Sequence, residues 1–204
     1  MSNRRCFGVL MALFVVLFAV LAVAPREPAT WAMENAVAVL FVIGLWVTRR
    51  WFRFSRSAYL MMFSFLALHE IGAHYTYSHV PYDQTLHTLF GFSPDAVMGW
   101  QRNQYDRFLH LLYGLLLVLP LSELCREWGG LRRPAAALFA FTLILASSLL
   151  YELIEWGAAV ALGDGSTAFL GTQGDPWDAQ KDMALATVGA LASLVIAALA
   201  RRIR

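Results

Sequence analysis

The sequence predicts an all-α, polytopic bundle of six membrane spans with both termini in the cytoplasm. Three observations carry that reading. Hydrophobic residues make up 59% of the chain and charged residues 15%, against roughly 45–50% and about 25% in an ordinary soluble domain. Six apolar stretches, each close to the ~20 residues a bilayer crossing needs, leave only short connections in a chain of 204 residues. Of the 16 basic residues, 12 fall on one side of the alternating segments, the side that the positive-inside rule assigns to the cytoplasm. Residues 1–204 therefore read as a single integral membrane domain.

The spans fall at about 6–24, 31–48, 57–77, 105–124, 134–161 and 177–200. Arg4 and Arg5 precede the first, which ends in Ala22-Val23-Ala24 like a signal sequence. Its apolar run is longer than a signal core, and Pro25 follows the small residues, so an uncleaved anchor is expected. Arg49, Arg50, Arg53 and Arg56 separate spans 2 and 3, Arg126, Arg132 and Arg133 separate spans 4 and 5, and Arg201, Arg202 and Arg204 follow span 6. Only Arg26, Arg102, Arg107 and Lys181 lie toward the other side. There, residues 78–104 mix Pro81, Gly91, Pro94 and Gly99 with Phe90, Phe92 and Trp100, which suits a loop or short helix in the headgroup layer. Residues 162–176 are glycine-rich and turn-forming. Asp175 is the expected N-cap of the last helix, Pro176 its first residue and Asp178 a first-turn acid against the helix dipole.

Ionisable residues inside the spans gather toward that same outer side. His69, Glu70 and His74 lie in span 3; Asp106, Arg107 and His110 open span 4; Glu152 and Glu155 lie late in span 5; Asp178 and Asp182 open span 6. Charge at membrane depth is expensive and points to function. Helical spacing puts Glu70 with His74, and Asp106 with His110, Tyr113 and Gly114. It also puts Ser148 with Glu152 and Glu155, and aligns Asp178, Asp182, Gly189 and Ser193 in a polar and small row suited to close helix contact. Four helices thus offer polar faces at one level, roughly 5–15 Å inside the outer boundary at 1.5 Å per residue. Glu70, His74, His110, Glu152, Glu155 and Asp182 are expected to approach one another.

With Asp175, seven carboxylates (Glu70, Asp106, Glu152, Glu155, Asp175, Asp178 and Asp182) face Arg107, Lys181 and three histidines. Crowded carboxylates in low dielectric share protons, pair with cations or bind a metal. A divalent cation, zinc ahead of magnesium because imidazole takes part, would use His74, His110 and Asp182 as ligands. Glu152 and Glu155 are then candidate bases and Arg107 a candidate anion clamp. Two other readings stay open: a salt-bridge network that only fixes helix register, and a proton or ion path.

Other signals carry less. His69-Glu70 with His74 departs from the helical zinc motif H-E-x-x-H, because residue 73 is Ala and the two histidines diverge by about 140°. His79 and His87 read as loop histidines, and Trp100, Trp156 and Trp177 as interfacial anchors. Cys6 and Cys125 read as small apolar residues on the cytoplasmic side, not as a disulfide. A net charge of +2, with basic residues at segment ends, gives no nucleic-acid surface. The expected partner is the lipid bilayer, and protein partners stay unknown.

The runs HEIGAHYTYSHVP (69–81), RNQYDRFLH (102–110), YELIEWGAAV (151–160) and FLGTQGDPWDAQKDM (169–183) together resemble the YjdF-like bacterial inner-membrane proteins, which carry a domain of unknown function. The resemblance spans about residues 30–200. It implies a multi-pass protein of the bacterial inner (plasma) membrane, and its matching residues here are His74, Asp106, Arg107, His110, Glu152, Glu155, Asp175, Asp178 and Asp182. The acidic spacing at 175–182 is also similar to that of VanZ-like membrane proteins. Neither likeness implies a reaction. The functional expectation is a polar, metal-binding site at the periplasmic face of a hydrolase or transferase acting on lipid or envelope material. The alternatives are a proton-coupled transporter and a non-catalytic accessory membrane protein.

Overall fold

Long apolar runs can satisfy their backbone in lipid only as helices or closed barrels, and these runs lack the period-two alternation of strands. The computed structural model describes residues 2–162 and 172–202, and those residues form eight helices and no strand. They are α1 (Asn3–Leu21), α2 (Pro28–Thr48), α3 (Arg56–His74), α4 (Tyr82–Phe90), α5 (Pro94–Met98), α6 (Tyr105–Glu127), α7 (Arg133–Leu162) and α8 (Asp178–Arg202). Five of them, α1, α2, α6, α7 and α8, are long and apolar enough to cross a membrane. Their outward faces expose Val16, Leu40, Leu150 and Val195, a coat that water would not tolerate over so wide an area.

Helix α3 is as long as α1 but carries Arg56, His69, Glu70 and His74, which lowers its hydropathy below that of the other five. It is nonetheless the inner helix. Ala58, Tyr59, Met62, Leu66 and Ala73 are buried along its length, and it packs on α1, α2 and α6. It lies antiparallel to α6: the Ser55 hydroxyl donates to Glu123 at 2.6 Å at one end, and the Tyr105 hydroxyl donates to the Leu68 carbonyl at 2.8 Å near the other. The helix ends three residues sooner than the sequence suggested, because Thr76 and Tyr77 adopt positive φ of 56° and 49°. That turn lays the Tyr77 ring back on Gly72, where a Cβ would stand 2.6 Å from the ring. The Tyr77 hydroxyl then reaches His69 Nδ1 at 2.6 Å.

The tightest contact joins α6 to α8. Small residues let backbones approach in lipid, where no hydrophobic drive brings helices together. Here Gly114 and Gly189 do so: a Cβ on Gly114 would sit 1.9 Å from the Ala186 carbonyl oxygen, and one on Gly189 would sit 2.1 Å from that of Leu111. Ala186 and Ala190 are wholly buried beside them. Helix α2 behaves differently. Its one extensive partner is α3, so it stands away from α6 and α7.

The stretch expected as a loop or interfacial helix is ordered as α4 and α5. Asp83 ties the pair, accepting from Ser93 Oγ and from the Asp95 amide, each at 2.9 Å. Tyr82 donates to Asp95 at 2.5 Å and accepts from the Gln104 amide at 3.1 Å. Burial and that carboxylate push its phenol up to about 12. Most of the 162–176 connection lies outside the described residues. Helix α8 starts at Asp178, two residues beyond the expected Pro176. Asp175 still caps the turn, accepting from the Trp177 amide at 3.0 Å, but its other oxygen is taken by cations from two helices.

Candidate functional site

The polar residues at one end of the bundle divide into a paired half and an unpaired half. The paired half locks α6, its preceding loop and α8. Arg102 donates to Asp178 at 2.5 and 3.3 Å. Arg107 donates to the same carboxylate at 3.0 Å and also to Asp175, and Lys181 reaches Asp175 at 2.5 Å. Asp178 is 3% exposed, and burying a charge there requires such company. The Lys181 ammonium, the Trp177 amide and the Arg107 guanidinium together hold the Asp175 carboxyl well below the usual carboxylate range.

The unpaired half centres on His110 and Asp182, about one turn further along α6 and α8 than Arg107 and Asp178. One ligand atom each from Asp106, His110 and Asp182 lies within 4.8 Å of the others. His110 Nε2 is 3.6 Å from Asp106 Oδ1 and 3.7 Å from Glu152 Oε1. Asp182 Oδ1 and Glu152 Oε1 are buried with no hydrogen-bond partner, on residues 2% and 9% exposed. Glu155 has Asp106, Glu34, Glu152 and Asp182 as its electrostatic neighbours. Among the described residues, Arg102, Arg107 and Lys181 pair with Asp175 and Asp178, whereas Asp106 and Glu152 pair with the imidazole of His110.

The site opens on a cavity of about 590 Å³ bounded by α2, α3, α6 and α7. At its polar end stand Glu34, His69, Asp106, His110, Tyr151 and Glu155. Tyr151 donates to Glu34 across the gap between α7 and α2. The rest of the lining is almost wholly apolar and follows one face of α6 down to Leu124 and Trp128.

Of the expected residues, His110, Glu152, Glu155 and Asp182 are brought together, with Asp106 among them. Arg107 is at the same end, its guanidinium committed to Asp175 and Asp178. His74 and Glu70 stand apart. His74 Nδ1 is 2.8 Å from the Leu21 carbonyl at the end of α1. Glu70 is wholly buried, its two oxygens without hydrogen-bond partners, and does not line the cavity. The physical reason is the rotation of α3: Met62, Phe65, Leu66 and His69 form its cavity face, and residues 70 and 74 lie about 100° or more around the helix.

Sequence reasoning missed Glu34 and undervalued His69 and Arg102. Glu34 had a readable signal, a carboxylate two turns inside an otherwise apolar helix. Its use depends on a tyrosine 117 positions away, which no local spacing announces.

The chain matches the family model described as "Predicted membrane protein (DUF2238)" over residues 7–203. It is 35% identical over 177 residues, 86% of this chain and 81% of the relative, to the Escherichia coli (strain K12) protein named "Inner membrane protein YjdF". No solved structure matches it. Five apolar helices and these likenesses make it a multi-pass protein of the inner membrane. The chain belongs to the DUF2238 family of predicted membrane proteins.

Proposed function

We propose that the protein is a six-span hydrolase or transferase whose polar site, at the periplasmic end, binds zinc and acts on lipid or envelope material. In this reading residues 1–204 form one domain with both termini cytoplasmic. The support for a sixth span is that α3 runs beside α6 from Ser55–Glu123 at one end to Leu68–Tyr105 near the other, so a bilayer that contains α6 also contains α3. The support for the orientation is the 12 to 4 division of basic residues. Thr88→Cys, on the exposed face of α4, is expected to react with an impermeant maleimide from the periplasmic side of intact cells. Reaction only after the cytoplasm is opened would reverse the orientation and move the site to the other leaflet.

The observation that carries the metal reading is the approach of Asp106, His110 and Asp182 ligand atoms within 4.8 Å, with two buried carboxylate oxygens there lacking partners. Ligands about 2.0–2.1 Å from one tetrahedral zinc stand about 3.4 Å apart, and the His110–Asp106 distance of 3.6 Å is close to that. Bound zinc would supply Lewis acidity or an activated water. Glu155, at the cavity end of the group, would take or return the proton. Arg107 serves the α6–α8 lock instead of an anion. His74 is left out of the ligand set.

Protein purified without chelator is expected to carry near-stoichiometric zinc. His110→Ala and Asp182→Asn are expected to weaken zinc by at least about a hundredfold, beyond the 10–100-fold typical of outer-shell changes. Folded, metal-free protein whose thermal transition does not move on adding zinc would overturn the metal reading. The polar set would then be a register lock with shared protons.

A further inference from the structure

The cavity has a shape that the proposed chemistry at its polar end does not require. From His110 to Trp128 its lining follows α6 for 18 residues, about 27 Å at 1.5 Å per residue. The 590 Å³ is therefore drawn out along the helix and not gathered at the polar end, the shape that an extended hydrocarbon chain fills. A soluble substrate gains nothing from so deep an apolar trench, whereas a long chain buries apolar surface along all of it.

The trench is also open sideways. Helix α2 is held by α3 and forms no extensive face with α6 or α7. The residues that flank the gap, Val37 and Phe41 on α2 and Leu143, Leu150 and Ile154 on α7, line the cavity and are 37–58% exposed. At the depth of the bilayer core, such a mouth faces lipid chains and not water. The Tyr151–Glu34 hydrogen bond bridges α7 and α2 at the polar end only.

The polar end sets the head chemistry. Among the described residues its charged lining is Glu34, Asp106 and Glu155, with His69 and His110, and contains no Arg or Lys. A wholly anionic head would meet acids there, whereas the ammonium of a zwitterionic aminolipid would be matched by them, with its phosphate left to His69 and His110. Buried Glu34 is 3% exposed and takes a hydrogen bond from Tyr151, so the end is built of held polar groups.

We propose that the cavity is a lateral binding site for an aminolipid, one acyl chain lying in the α2–α6–α7 trench and the ammonium head against Glu34 and Glu155. The second chain of a two-chain lipid stays in the bilayer outside the mouth. This names the substrate class of the site proposed above and rests on that reading only for what is done to the head; occupancy of the trench stands apart from zinc.

Gly44 provides the test, since it lines the trench and a Cβ built on it meets nothing within 4 Å. Gly44→Trp fills the trench without forcing the backbone. Full-length protein is placed in vesicles of phosphatidylethanolamine carrying a diazirine in one chain, or of phosphatidylglycerol with the same chain, and irradiated. Adducts from the amine lipid are expected on the trench face of α6, at Leu117, Leu121 or Leu124. They should fall at least tenfold in Gly44→Trp and at least fivefold with the anionic lipid. Asp182→Asn, at a residue outside the trench lining, should lose zinc and keep the adduct, so failure of the metal reading and failure of this one are separable. Adducts confined to the outward faces of α1 and α8, or undiminished in Gly44→Trp, would overturn the proposal, and so would equal labelling by the anionic lipid. Should Gly44→Trp not fold, Gly44→Leu is used, with the same expected direction and a loss of at least threefold.

Discussion

Gly114→Ala is expected to destabilise the protein by at least about 3 kcal/mol, at or beyond the upper end of ordinary overpacking. The reason is geometric. The added methyl carbon would stand 1.9 Å from the Ala186 carbonyl oxygen and 2.7 Å from the Ala190 nitrogen, and both are backbone atoms that cannot swing aside as a side chain would. The only relief is separation of α6 from α8, which also loosens the Arg107 contacts to Asp175 and Asp178. Gly189→Ala should behave in the same way, because its methyl carbon meets the Leu111 carbonyl at 2.1 Å. The two changes should not add, since one displacement relieves both. Gly8→Ala and Gly157→Ala are the controls: a Cβ there meets nothing within 4 Å, so a gain of up to about 1 kcal/mol in helix propensity is expected. Thermal unfolding of the four variants in one detergent gives the comparison. Equal midpoints for Gly114→Ala and Gly157→Ala would mean that the two helices are not in contact.

The second large effect is expected at Asp178. Asp178→Ala should cost about 3 kcal/mol, the lower end of the range for removing one partner of a buried ion pair. Asp178 is 3% exposed, and it accepts from both Arg102 and Arg107. Its removal takes from two guanidiniums the buried carboxylate they share at the α6–α8 junction, and Asp175 already binds Lys181. Arg107→Ala should cost less, because Arg102 still neutralises Asp178 and Lys181 still neutralises Asp175. Thermal unfolding of both variants ranks them. A milder effect at Asp178 than at Arg107 would show that the network is screened by water, as surface pairs are.

These two expectations come from different levels of description. The polar and small row of α8, with Asp178, Asp182, Gly189 and Ser193 on one face, was legible in the sequence because helical periodicity is local. The sequence did not contain the partner of that row, nor which glycines face a backbone. Gly44, Gly114 and Gly157 look alike as letters within apolar helices. Only Gly114 faces another backbone at contact distance, and only Gly44 borders the trench. The same limit applies to charge. Counting acids and bases left several carboxylates without cations, but the count could not tell which ones. Among the described residues, Arg102, Arg107 and Lys181 pair with Asp175 and Asp178, and Asp106, Glu152 and Asp182 lie beside the imidazole of His110.

Taken by itself, the sequence determined the all-helical class, the membrane setting, the approximate ends of the long helices and the end of the bundle where ionisable residues collect. Hydropathy, length and helical spacing are properties of neighbouring residues, and lipid leaves a long apolar run almost no choice but a helix. The tertiary structure alone decided the rotation of each helix about its axis. That rotation turned His69 toward the cavity and Glu70 and His74 away from it, and it brought Glu34 of α2 to Tyr151 of α7. It also kept α2 off α6 and α7, which opened the trench. Rotation and spacing between helices come from the sum of many small contacts over four partners, and no stretch of neighbouring residues records that sum.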